Sequence, residues 1–184
     1  MVIKSIGRLI AFAILVCLCA TTAHAWKLQD DYKVLEKRRQ ELEEKRKAYE
    51  TQLIKLVSQK KSLTVIFFQC VSPKEKDYWE AKIAEAQAAN EKLETERQAL
   101  IQIRKKMNEN RSRLEQRRVD IEAGHTRKIP GSAYETEFNA YMIALEQEYF
   151  QPLEQELFTG YEAHLSAMES NIAFLRESVS RCMK

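Results

Sequence analysis

Apolar residues return every seven positions along two long stretches of the chain. Leu28, Leu35, Leu42, Tyr49, Leu56, Leu63 and Cys70 make the first series, and Trp79, Ala86, Leu93, Leu100, Met107, Leu114 and Ile121 make the second. A heptad repeat sustained over this many turns predicts long α-helices packed side by side. The position four residues after each of these is often basic. Arg39, Arg46 and Lys60 fill it in the first stretch, and Arg97, Arg104, Arg111 and Arg118 in the second. A cation beside a helix seam must be paired or must reach water.

The punctuation divides the chain into three helices, at about 28–66, 73–123 and 132–182. The first has a mixed-charge outer face (Glu36, Glu41, Glu43, Lys45, Lys47) that supports a solvated helix. Its heptads run into Leu63-Thr64-Val65-Ile66-Phe67-Phe68, apolar on all sides, which fits either a buried last turn or a short extended segment. Ser72-Pro73-Lys74-Glu75 is a start signal for the second helix: an N-cap serine, a proline at the first helical position and a glutamate at N3. Gly124 offers a left-handed stop, and Ile129-Pro130-Gly131 forbids continuation. Ser132-Ala133-Tyr134-Glu135 is a second capping box.

The third helix carries the richest apolar face, from Tyr134, Phe138, Tyr141 and Leu145 to Phe158, Tyr161, Leu165, Met168, Ile172, Leu175, Val179 and Cys182. Its two halves are out of phase, because Leu165 follows Leu145 by one residue less than three heptads. Pro152 and Gly160 lie within that gap, so a kink is expected near Pro152. The fold class that follows is all-α: an elongated three-helix antiparallel bundle or coiled coil. The scarcity of turn residues, four glycines and three prolines in 184 residues, argues against β or α/β folds.

The N-terminus reads as a secretory signal peptide. Lys4 and Arg8 precede the apolar run Leu9–Ala20, and Ala23-His24-Ala25 presents small residues at the cleavage positions. Cleavage after Ala25 leaves 26–184 as a single helical domain in the periplasm or outside the cell. Membrane contact is expected only if the segment stays uncleaved. Cys70 and Cys182 are then the remaining cysteines. Helices two and three are of equal length, so an antiparallel return brings Cys182 back to the turn that holds Cys70. In an oxidising compartment the two should form a disulfide.

Charge is unevenly distributed. Without residues 1–25 the chain has 28 basic and 27 acidic side chains, but 26–131 carries a net +7 and 132–184 a net −6. The expectation is that the acidic third helix neutralises the basic stripe Arg39, Arg46, Arg97, Arg104, Arg111 and Arg118. Whatever it leaves open is a candidate groove for an acidic partner. The near-neutral total and lack of aromatic-basic interleaving argue against nucleic acid.

A second candidate site is the cluster Val65, Ile66, Phe67 and Phe68, either a plug at the disulfide end or an exposed tip that holds a partner. Tyr134, Phe138, Tyr141, Tyr149, Phe150 and Phe158 read as core. His125 reads as solvated and His164 as lying beside the apolar face. No spacing suggests a catalytic residue, a metal ligand set or a cofactor loop, so the protein reads as non-enzymatic.

These features predict a periplasmic helical protein that binds another protein, as a chaperone-like or scaffold subunit of a cell-envelope assembly, with homo-oligomerisation open. The alternatives are a structural spacer of a secretion or conjugation apparatus, and a membrane-anchored, spanin-like lysis subunit. N-terminal sequencing of the processed protein is expected to begin at Trp26, and a start at Met1 favours the anchored alternative. Intact-mass analysis without reductant is expected to find a monomer with no free thiol.

Overall fold

In a computed structural model the described residues, 30–72, 74, 77–129 and 131–184, are helical with short connections and no strand. Helix α1 spans Val2–Val71, α2 Lys76–Gly124, α3 Ala133–Leu145 and α4 Thr159–Cys182. Between α3 and α4 run two π-helical segments, Glu146–Phe150 and Leu153–Phe158. The predicted signal peptide, Leu28, Pro73, Glu75 and Pro130 lie outside the described residues.

The chain is all-α and packs as a helical bundle. Its helices group into two compact units. The first unit takes the chain up to Glu41 together with Glu109–Phe150, and the second takes Leu42–Asn108 with Gln151–Lys184. Within each unit three helical segments share a core.

The heptads of α2 set one wall of both cores. Trp79, Ala86, Leu93, Leu100, Met107, Leu114 and Ile121 are all buried, as their seven-residue spacing requires. Among the described residues of the α1 series, Leu42 and Leu56 are fully buried, and Leu35, Tyr49, Leu63 and Cys70 are half-buried. The ambiguous stretch Leu63–Phe68 is helical and α1 continues to Val71.

In the first unit Tyr134, Phe138, Tyr141 and Phe150 are buried, with Tyr134 stacked on Phe138 and Tyr32 edge-on to the same ring. The turn ahead of α3 differs in detail from a capping box. The Glu135 carboxylate accepts from the Gly131 amide, while the Ser132 hydroxyl donates to the Ile129 carbonyl instead of capping the helix. The left-handed glycine is Gly131, at φ 73°, and not Gly124, which closes α2 as a helical residue.

In the second unit one cluster gathers Leu56, Leu93, Leu165, Met168 and Ile172. Another gathers Phe67, Val71, Trp79, Leu175, Val179 and Cys182. A disulfide joins Cys70 to Cys182 at a Cα separation of 6.0 Å, closing the second cluster. It spans 112 residues of sequence, a length for which chain-entropy reasoning gives a stabilisation of about 4–5 kcal/mol.

The phase slip in the third helical stretch is absorbed by a change of helix type around Gln151 and Pro152. Tyr141, Leu145, Tyr149, Leu153, Leu157, Tyr161 and Leu165 are all buried, and each follows the last by four residues. An α-helix advances about 100° per residue, so every four-residue step overshoots its own face by about 40°. The wider i→i+5 turns of the two π-helical segments take up that overshoot.

Gly160 sits where α4 meets α2 in the second unit. A Cβ there would stand 2.7 Å from Leu100 Cδ2. Gly160→Val is expected to destabilise by about 1–3 kcal/mol through overpacking. Leu100→Ala in the same chain should recover part of that loss, which a double-mutant cycle in urea would measure. Additive effects would remove the contact.

Candidate functional site

Three helical faces of the first unit enclose a cleft of about 360 Å³. From α1 come Tyr32, Glu36 and Arg39, spaced four and three apart and therefore on one face. From α2 come Arg111, Leu114, Glu115 and Arg118, again one face. Tyr141, Leu145 and Tyr149 close it from the third side, and the last of these stands on the first π-helical segment. Three arginines of the predicted stripe, Arg39, Arg111 and Arg118, thus line one cleft.

Two ion pairs of the same design face each other there. Arg39 donates from Nε (2.8 Å) and Nη2 to Glu36, and Arg118 donates from Nε (3.2 Å) and Nη2 (2.7 Å) to Glu115. The Arg39 hydrogen bond holds the Glu36 carboxyl below its usual range, and the Arg118 hydrogen bond does the same for Glu115. Each carboxylate also feels the other pair's arginine, so the four charges form one network across α1 and α2. The Arg118 guanidinium is held further above its usual range by Glu115. Burial pushes the Tyr141 hydroxyl up to about 12 and raises that of Tyr32. Both remain protonated donors at neutral pH.

The rest of the stripe lies in the second unit, and its neutralisation departs from the expectation. The partners are mostly glutamates three residues earlier on the same helix: Glu43 for Arg46 at 2.9 Å and Glu94 for Arg97 at 2.7 Å, as Glu36 and Glu115 serve Arg39 and Arg118. Arg104 has isoleucine at that position and reaches Glu50 of α1 at 3.4 Å. Glu50 also accepts from Arg46 at 3.2 Å and from the Tyr161 hydroxyl at 3.4 Å.

The acidic third helical stretch neutralises other cations. Glu146 takes Arg38 at 2.6 Å, Glu148 takes Arg113, and Glu162 meets Lys45 at 3.9 Å and accepts from Tyr49. The reason is distance: a glutamate one turn away on the same helix is within reach without crossing a seam. The recurring Glu-x-x-Arg spacing was readable in the sequence and identifies these pairs.

The second candidate, Val65–Phe68, is divided by the helix it lies on. Phe67 is fully buried against Trp79 and Phe174, and Phe68 is half-buried. Val65 and Ile66 face outward at 51% and 41% exposure. Met183, beside the disulfide, is also exposed.

Two buried polar side chains stand on α4: His164, read from the sequence as lying beside the apolar face, and Asn171, which sequence reasoning passed over. His164 is 1% exposed and its Nδ1 lies 3.0 Å from Glu96 Oε2 across the α2–α4 seam. Its Nε2, and Oδ1 of buried Asn171, make no hydrogen bond to any described residue. His125 is half-buried, not solvated, with Nε2 3.3 Å from Glu137 and its ring edge-on to Tyr134. Among the described residues no group of three or more His, Cys, Asp or Glu side chains is arranged to hold a metal ion. Among the same residues no helix is long and apolar enough to cross a membrane.

Fold and disulfide define the class: an all-α helical-bundle protein closed by a Cys70–Cys182 bridge. Comparison with known proteins finds no significant match to a family model, a curated protein or a solved structure.

The folded-state rise at Tyr141 has a definite pH consequence. A hydroxyl whose folded value lies above its unfolded value near 10 contributes stability that is complete below about pH 10 and lost as pH climbs towards 12. Tyr141→Phe is expected to flatten the fall in unfolding temperature between pH 10 and 12. An unchanged slope would show that burial does not shift this hydroxyl.

Proposed function

We propose that this chain is a non-enzymatic helical-bundle protein of the cell envelope that binds another protein, as a chaperone-like or scaffold subunit. The observation that carries the reading is the division of the Val65–Phe68 turn. Phe67 anchors the turn in the core beneath the disulfide, while Val65 and Ile66 stand outward on a braced helix. Apolar side chains held outward on a rigid turn present a contact surface without a folding cost on binding. The signal-like N-terminus and the paired cysteines favour an oxidising envelope compartment.

The double substitution Val65→Ser/Ile66→Ser separates binding from folding. It is expected to leave stability within about 0.5 kcal/mol. It should abolish the protein's suppression of light scattering by a reduced, aggregating client. Phe67→Ser is expected to cost about 3 kcal/mol or more by emptying a core position. Full suppression of scattering by the double variant would sink the proposal, as would no suppression by the unaltered protein.

A further inference from the structure

We propose that the outward face of α1 between Ile54 and Val65, in the second unit, docks an acidic amphipathic helix of a partner protein. The proposal rests on the reading of the outward apolar residues of α1 as a protein contact, and it names the class of partner they take. Ile54 is 72% exposed and Val57 39%, and Val65 stands outward with them. Positions 54, 57, 61 and 65 are three, four and four residues apart, so on an α-helix they fall within an arc of about 80°. That spacing makes a ridge that a second helix can straddle. From Ile54 to Val65 it runs about 16 Å, or three turns. Scattered exposed aliphatics need no partner, whereas a line of them on one helical face is the pattern of a seam. Phe68, three residues beyond Val65, packs against the cluster that the disulfide closes, so the ridge is anchored at one end.

Charge selects the occupant. Between Val57 and Val65 the ridge carries Lys61, and Lys55 flanks it. Both are exposed, and neither makes an ion pair with any described residue. Residues 51–71 contain no acid. Lys60 turns away to Asn90 at 3.0 Å. The acids at the margins are already engaged: Glu50 by Arg46 and Arg104, Glu94 by Arg97, and Glu169 by Gln52. The ridge thus offers apolar side chains interrupted by a cation that no nearby carboxylate neutralises. A helix with a carboxylate opposite Lys61 and apolar residues on either side satisfies both features. A second copy of the same face would set lysine against lysine. A bilayer fits less well, because the cation stands within the apolar line and no exposed aromatic ring accompanies it on residues 51–69.

The probe is a fluorescein-labelled synthetic peptide of three Glu-Ile-Ala-Ala-Leu-Glu-Glu heptads. Its controls are the same heptads with lysine for glutamate, and a shuffled peptide of the acidic composition. Anisotropy titrations with the disulfide-intact full chain are expected to show saturable binding of the acidic heptads that weakens as salt rises. The lysine and shuffled peptides should bind at least about tenfold more weakly. Lys55→Glu/Lys61→Glu and, separately, Ile54→Ser/Val57→Ser should each weaken the acidic heptads about tenfold or more. Both double variants change exposed residues and should keep the native unfolding temperature.

No saturable binding of the acidic heptads by the folded chain would overturn the assignment. So would equal affinity for the lysine or shuffled peptide, or unaltered affinity in either natively stable double variant. Sedimentation with phosphatidylglycerol vesicles that Ile54→Ser/Val57→Ser abolishes would assign the ridge to a membrane and overturn it as well. Client suppression that persists in light scattering while the acidic heptads fail to bind would remove this partner and leave the protein-binding reading standing.

Discussion

A helix can bury one continuous face only if its winding matches the spacing of its apolar residues. From Tyr141 to Leu165 six steps of four residues would carry that face through about 240° on an ideal α-helix. The two π-helical segments advance less per residue and so reduce this drift within each unit. Much of the structure depends on that correction. In the first unit it keeps Tyr149 on the same wall as Tyr141 and Leu145. In the second it lets Leu157, Leu165, Ile172 and Leu175 stay buried as far as the disulfide. Proline at position 152 accords with this solution, since its missing amide asks for no partner where the hydrogen-bond ladder changes register.

Electrostatics is settled over shorter distances than packing. The basic two-thirds and acidic third invite a picture of one helix neutralising two others. Proximity favours another outcome, in which most stripe arginines are oriented by a glutamate one turn away. Pairs of this kind contribute little to stability when exposed. Their effect is to leave the seams free of unpaired cations and to set guanidinium planes in advance. The third helical stretch spends its acids on Arg38, Arg113 and Lys45, which flank the seams.

Much of the fold was legible because heptad spacing and cysteine placement are strong signals. All seven heptad residues of α2 are buried, and Cys70 meets Cys182 as equal helix lengths require. The end of α1 was not legible, since an all-apolar run such as Leu63–Phe68 has no period to read. The out-of-phase halves of the third helix and the place of the irregularity, near Pro152, were visible, while the π-helical winding on either side of it was not. Of the candidate sites, the cleft was half legible. Arg39, Arg111 and Arg118 stood out as a stripe, while their convergence with Tyr32, Tyr141 and Tyr149 depends on how the faces of three helices meet. The division of Val65 and Ile66 from Phe67 follows from 100° per residue once the run is known to be helical.

The bridge between Cys70 and Cys182 also changes what a broken backbone means. The exposed connection after α2 holds Arg127 and Lys128, which a trypsin-like protease can reach. A cut there parts the chain into a piece containing Cys70 and a piece containing Cys182. The two pieces stay one covalent molecule, and their cores hold them in place. Between 70 and 182, continuity of the polypeptide is therefore redundant: the molecule can be nicked there and keep its parts until it is reduced.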